Sequence, residues 1–140
     1  MQQCLIWDPL PGLDFPCADM SFAYNPPYRV IARMRFSNIV NGPSSDLQLS
    51  FSGAIALRWE SESFGLIPLP KPLPKCRSES WSRYTFPLLR VEHSSWLAEH
   101  EAYYLLAAEG RAHFALVSLN DLLHILALPD VDTQWIEPEN

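Results

Sequence analysis

From Leu47 to Glu60 the chain reads LQLSFSGAIALRWE, alternating apolar and polar residues with hardly a slip. Side chains of a β-strand point to opposite faces in turn, so this pattern demands an extended strand with one wet and one buried face. Leu47, Leu49, Phe51, Ile55, Leu57 and Trp59 share the apolar face, and Gln48, Ser50, Ser52, Arg58 and Glu60 line the other. Gly53 interrupts the run where a bulge or bend is expected. The segment YRVIARMRF repeats the rule, with Val30, Ala32, Met34 and Phe36 facing one way and Arg29, Arg33 and Arg35 the other. The turn-rich NGPSSD lies between the two runs, which predicts an antiparallel hairpin with one polar face.

The remaining segments mix strand and helix signals. YTFPLLRVE reads as a strand at a sheet edge, because Pro87 cannot donate a ladder hydrogen bond. SSWLAEHEAYYLLAAEG reads as a helix with Ser94 or Ser95 as its cap, Glu99 and Glu101 near its positive end and Gly110 closing it. A shorter helix followed by a strand through YYLLA fits the same letters. HFALVS is a short buried strand. LNDLLHILAL reads as a second helix, capped by Ser118 or Asn120 and stopped by Pro129, and VDTQWIE as a last strand. This order predicts an α+β fold: a single domain whose antiparallel or mixed sheet carries two helices packed on one side.

Thirteen prolines fall mostly in two stretches. Residues 1–27 combine them with aromatics and read as an N-terminal arm packed across the core through Trp7, Phe15 and Phe22, with the α+β domain spanning 28–137. In GLIPLPKPLPKCR the prolines stand at 68, 70, 72 and 74. Proline-reading partners take residues three apart along a polyproline helix, and no such pair exists here. The interleaved Ile67, Leu69 and Leu73 instead predict a stiff crossover lying on apolar surface.

The formal charge of −6 argues against a nucleic-acid partner, whose phosphates are met by Lys and Arg. After Val91 nine acids face a single base, Arg111. The arginine row of YRVIARMRF is explained by cross-strand pairing with Glu60 or other acids on the neighbouring strand. Cys4, Cys17 and Cys76 have neither zinc-finger nor CxxC spacing, which predicts a reducing compartment with no disulfide scaffold and no metal. Cys76 lies between Lys75 and Arg77, a setting that lowers a thiol pKa if exposed. HEAYY at 100–104 starts like a zinc helix, but Tyr104 stands where the second histidine belongs. Neither GxSxG nor a phosphate loop occurs, so no catalytic or cofactor residue is assigned and the chain is not read as an enzyme. The opening MQQCLIWDPL lacks a signal-peptide pattern, and no run approaches the roughly 20 apolar residues that span a bilayer, so a cytoplasmic chain with no membrane partner is expected.

LSFSGAIALRWESES, FPLLRVEHSSWL and AHFALVSLNDLLHILALPDVDTQWI together resemble small cytosolic immunity proteins encoded beside bacterial polymorphic toxins, including Rhs-type, contact-delivered and type VI effectors. The shared pattern covers roughly residues 28 to 137. It comprises a strand ending in Arg-Trp-Glu, a Ser-Trp-Leu turn into a helix, and a histidine-led strand running into Asn-Asp. The resemblance implies a chain that binds a cognate toxin and covers its active site. Toxins acting on nucleic acid or nucleotides have basic clefts, so Glu60, Glu62, Asp130, Asp132 and Glu137 are the expected contacts. A loading adaptor for a secreted effector, or a small enzyme assembled from His113, Asp121 and Cys76, are the rivals. Trp59 is expected in the core and Glu60 and Glu62 on the polar face beside it.

Overall fold

A computed structural model describes residues 1–37, 39, 42–61, 69–104 and 110–137. Among them run nine strands: β1 (Gln3–Ile6), β2 (Asp19–Asn25), β3 (Arg29–Arg35), β4 (Asp46–Phe51), β5 (Ala56–Ser61), β6 (Leu88–Glu92), β7 (Ala112–Val117), β8 (Asp121–Ala127) and β9 (Asp132–Ile136). One α-helix, α1 (Ser95–Tyr104), follows β6. The strands form a five-stranded sheet, β1-β6-β7-β8-β5, and a four-stranded sheet, β2-β3-β4-β9, antiparallel throughout. The fold is therefore β-rich, and the expected α+β architecture with two helices on one sheet is corrected.

LNDLLHILAL is the segment that overturns it. Leu122–Ala127 form most of β8 and pair with β7 on one side and β5 on the other. Ser118, expected as a helix cap, instead closes a tight hairpin: its hydroxyl accepts the Asp121 N–H at 3.0 Å, and its own N–H donates to the Asp121 carbonyl at 2.9 Å. A serine side chain offers the same local bond to a turn as to a helix start, so its presence does not decide between them.

The alternating hairpin is present as β3 and β4. Val30, Ala32 and Met34 are fully buried beside Leu47, Leu49 and Phe51, in register. The long strand expected through Trp59, however, is divided. Gly53 adopts a left-handed φ of +59°, where a Cβ would lie 2.8 Å from the Leu128 side chain. There the backbone leaves one sheet for the other: Leu128 N–H donates to Ser52 O and Ile55 N–H to Leu126 O. The odd-numbered side chains keep facing the shared core across the change of layer. Leu57 and Trp59 lie with Ile125, Leu123 and Phe114, while Glu60 points to the other face of the five-stranded sheet, which α1 covers. Trp59, at the rim of the core, is 38% exposed, and Glu60, beneath the helix, only 5% exposed.

The two sheets share one apolar core. Phe51 from the four-stranded sheet meets Phe114 of β7, with ring centroids 5.3 Å apart, and Trp7 packs 4.6 Å from Phe114. Residues 1–27 contribute a strand to each sheet, β1 and β2. Phe15 is partly buried against the core, whereas Phe22 stands at its rim. Pro87 immediately precedes β6, so its missing N–H falls outside the ladder, and β6 is an inner strand rather than an edge. In the described part of the proline run, Leu69 and Leu73 pack against the core and Pro74 O accepts the Phe86 N–H; Ile67 and Pro68 lie outside the described residues. No helix among the described residues is long and apolar enough to cross a membrane.

Candidate functional site

The sheet registers bring four polar side chains to one face of the five-stranded sheet. His113 on β7 and His124 on β8 share that face with Arg58 and Glu60 on β5, because Arg58 is opposite His124 and His124 opposite Ala115. The chain reaches this face a fifth time at the β6–α1 junction. His93 takes a left-handed φ of 55°, uncommon for a residue with a side chain, and the tight turn it makes aims Ser94 inward.

The result is a continuous polar row. Ser94 Oγ lies 2.6 Å from His113 Nδ1, His113 Nε2 lies 2.8 Å from His124 Nδ1, and His124 Nε2 is 3.5 Å from Glu60 Oε2. Arg58 Nε donates to Glu60 Oε1 at 3.1 Å. One assignment of protons makes hydrogen bonds of the two histidine contacts and leaves His124 Nε2 and Glu60 Oε2 as a longer electrostatic contact. The Ser94 hydroxyl donates to His113, His113 Nε2–H donates to His124, and His124 Nε2–H faces the carboxylate that Arg58 holds. Trp96, from the first turn of α1, closes over the row with its ring 5.2 Å from His113 and 5.7 Å from His124. All four of Glu60, Ser94, His113 and His124 are buried.

A serine joined to a histidine and onward to a carboxylate has the composition of a nucleophile and its base. Two observations weigh against that use. Burial, reinforced by the neighbouring His124, pushes His113 down from 6.5 to about 3. A base that weak has little appetite for a serine proton at neutral pH, since general bases work best with a pKa near the ambient value. Ser94 Oγ is also engaged as the cap of α1, accepting the Leu97 N–H at 3.1 Å. The row reads as a dock that fastens α1 to the sheet. Gln2 reinforces it, its side-chain oxygen accepting both the N–H and the hydroxyl of Ser95. A cavity of about 450 Å³ opens beside it, lined by Arg90, Glu92, His93, Ser94, Glu101 and Arg111 among others, with charges of both signs.

The residues expected as partner contacts separate into groups. Glu60 belongs to the buried row and is corrected as a surface contact: it points away from the shared core, as the alternation has it, but α1 covers that face of the sheet. Glu62 lies outside the described residues. Asp130, Asp132 and Glu137 are exposed, around and along β9, at one edge of the four-stranded sheet. Register places Asp132 and Gln134 on that sheet's outer face, with Ser50 and Gln48 of β4 and Arg33 of β3. The arginine row finds its acid in Asp46 on the adjacent strand, not Glu60: Arg33 Nε is 2.9 Å and Arg35 Nε 3.5 Å from its carboxylate, which is almost fully buried. The guanidinium of Arg33 also donates to the Glu137 carbonyl at 2.7 Å, tying β3 to the end of β9.

The rival enzymatic trio is dispersed. His113 lies in the buried row, Asp121 in the hairpin turn after Ser118, and Cys76 beneath a bridge between Lys75 and Thr85. Burial pushes the Cys76 thiol up to about 11, and Lys75 and Arg77 offset that only in part. Cys17 rises likewise to about 12 and Cys4 to about 11, so all three are unreactive thiols near neutrality. Among the described residues no cluster of three or more His, Cys, Asp or Glu is placed to hold a metal. The His113–His124 contact was hidden in the sequence because HFALV and LLHILA show each histidine as a lone polar residue in an apolar run. Only the pairing of β7 with β8 joins them. No family model, curated protein or solved structure matches the chain.

Proposed function

We propose that this chain is an immunity-type binding protein that acts in the cytoplasm and neutralises a cognate bacterial toxin. The surface it would offer is the acidic β9 edge of the four-stranded sheet, with Gln48 and Ser50 of β4 beside it. The observation that carries the reading is the exposure of Asp130, Asp132 and Glu137 together at that edge, beside a polar sheet face. Such a surface suits a toxin with a basic cleft, because opposite potentials speed encounter and fix register. The sequence resemblance supplies the class of partner. The buried Ser94–His113–His124–Glu60 row gives the scaffold rigidity without needing any reaction of its own.

Co-expression with the toxin encoded by the adjacent gene tests the proposal. The wild-type chain should restore growth, and the triple variant Asp130→Lys, Asp132→Lys, Glu137→Lys should restore it poorly and bind more slowly at low salt. Undiminished rescue and binding by the triple variant would remove this surface from the reading. Binding of the wild type without rescue would place the chain among adaptors.

A further inference from the structure

The opposite edge of the four-stranded sheet is unlike the acidic one. Among the described residues no strand pairs with the outer side of β2. An edge of this kind presents unpaired backbone N–H and C=O groups, and natural edges are ordinarily blunted with lysine, proline or a bulge. Between Met20 and Asn25, β2 has neither lysine nor proline and pairs with β3 residue for residue, without a bulge.

Its side chains add to the anomaly. Register with Ala32 and Val30 directs Phe22 and Tyr24 toward the inner side of the sheet, the side that elsewhere is core. Here they overhang it: Phe22 is 37% and Tyr24 48% exposed. Across the gap, Trp59 of β5 stacks 5.2 Å from Phe22 and is itself exposed. Tyr28 extends the patch, its backbone N–H donating to the Tyr24 hydroxyl at 3.1 Å. The open backbone edge and the aromatic lip lie along the same strand.

Charge narrows the occupant. On the outer face behind β2 stand Arg29, Arg33 and Arg35 of β3, against Asp19 and Asp46, a local excess of one positive charge in a chain of −6. We propose that β2 accepts an extended segment of a partner protein as a fifth strand, and that this segment alternates apolar with acidic residues. The apolar residues cover Phe22, Tyr24 and Trp59, and the acidic ones point to the outer face toward the arginines. Strand addition of this type takes its affinity from backbone bonds and its selectivity from alternate side chains. The inference rests on the reading of the chain as a partner-binding protein, but it concerns a different edge and is tested without the toxin.

The probe is a nine-residue peptide alternating valine and glutamate, titrated into the full chain while amide NMR shifts and Trp fluorescence are followed. Shifts concentrated on residues 19–25 and at the Trp59 indole are expected. Two versions of the peptide, N-methylated at every second residue in either register, separate backbone pairing from simple adhesion, and one of them should lose binding at least tenfold. Phe22→Ser and Tyr24→Ser should each weaken the parent peptide several-fold while leaving the dispersion of the remaining amide signals intact. A valine–lysine peptide that binds as well as valine–glutamate would overturn the charge assignment. Equal binding of both methylated peptides, shifts away from β2, or no shift at millimolar peptide would overturn strand addition. Light scattering that shows a dimer abolished by Phe22→Ser would identify the occupant as a second copy instead and overturn the proposal.

Discussion

The two sheets share a core but are built differently, and the difference explains most of the molecule. The four-stranded sheet is covered on one side, so β3 and β4 alternate buried and half-exposed residues. The inner strands of the five-stranded sheet are covered on both, and β7 is buried at five consecutive positions from Ala112 to Leu116. A strand buried on both faces loses its period of two and becomes a nearly continuous apolar run. One sheet therefore keeps surface available for a partner, while the other turns both faces to the interior and must satisfy any polar group it carries from within.

That contrast is most directly broken by truncating the shared core. Phe114 is fully buried between Trp7 and Phe51. Phe114→Ala should cost about 3–5 kcal/mol, the range for deleting a buried aromatic, measured by urea unfolding. Ile31→Ala, on the outer face of β3, should cost no more than about 1 kcal/mol. Equal costs would mean that the outer face of the four-stranded sheet is as closely packed as the core.

The buried polar row gives a second, smaller contrast with a distinctive pH signature. His113→Leu leaves Ser94 and His124 without their partner inside the structure and should cost about 2–3 kcal/mol at neutral pH. His113 itself is held down from 6.5 to about 3. Between those values the unfolded chain takes up a proton that the folded chain refuses. Its contribution is therefore intact above pH 6.5, and wild-type stability falls as the pH drops toward 3, by about 1.4 kcal/mol per unit. The variant lacks this slope, so the two stabilities should converge at roughly pH 4.5. Parallel curves from pH 7 to 4 would show that His113 takes up its proton as readily in the folded chain as in the unfolded one. Ser94→Ala, which removes the cap of α1 and one end of the row, should cost less, about 1–2 kcal/mol.

The same contrast accounts for what could be read from the letters. The hairpin of β3 and β4 was legible because each strand has one wet face, and its core residues Val30, Ala32, Met34, Leu47, Leu49 and Phe51 follow directly from the alternation. β8 was not, because LLHILAL has no wet face to mark its period and Ser118 offers the same bond to a hairpin as to a helix. The helix start at Ser94 was legible from its cap, while the partner of that cap was not: nothing local connects Ser94 to His113, nineteen residues away. Glu60 was misplaced by a helix that lies far from it in the chain. Alternation through Gly53 correctly puts it opposite Leu57 and Trp59, but the strand has changed sheets, and α1 covers that face of the five-stranded sheet. Local patterns specify strands well, but which layer receives a strand is a long-range decision.

The smallest effect on folding should come from the surface proposed to matter most for binding. Asp130, Asp132 and Glu137 are exposed, and the bond from Arg33 reaches the backbone of Glu137 rather than its carboxylate. Reversing all three to lysine should therefore change stability by no more than about 0.5 kcal/mol per site. It nevertheless moves the net charge by six units within one edge, and electrostatic steering alters association rates by roughly tenfold to a thousandfold. The rate loss should be large at about 10 mM salt, where charges act over roughly 30 Å, and nearly vanish at about 1 M, where they act over roughly 3 Å. A stability loss of several kcal/mol would instead make these acids part of the fold, and the division between a sheet that holds the structure and a sheet that meets a partner would fail.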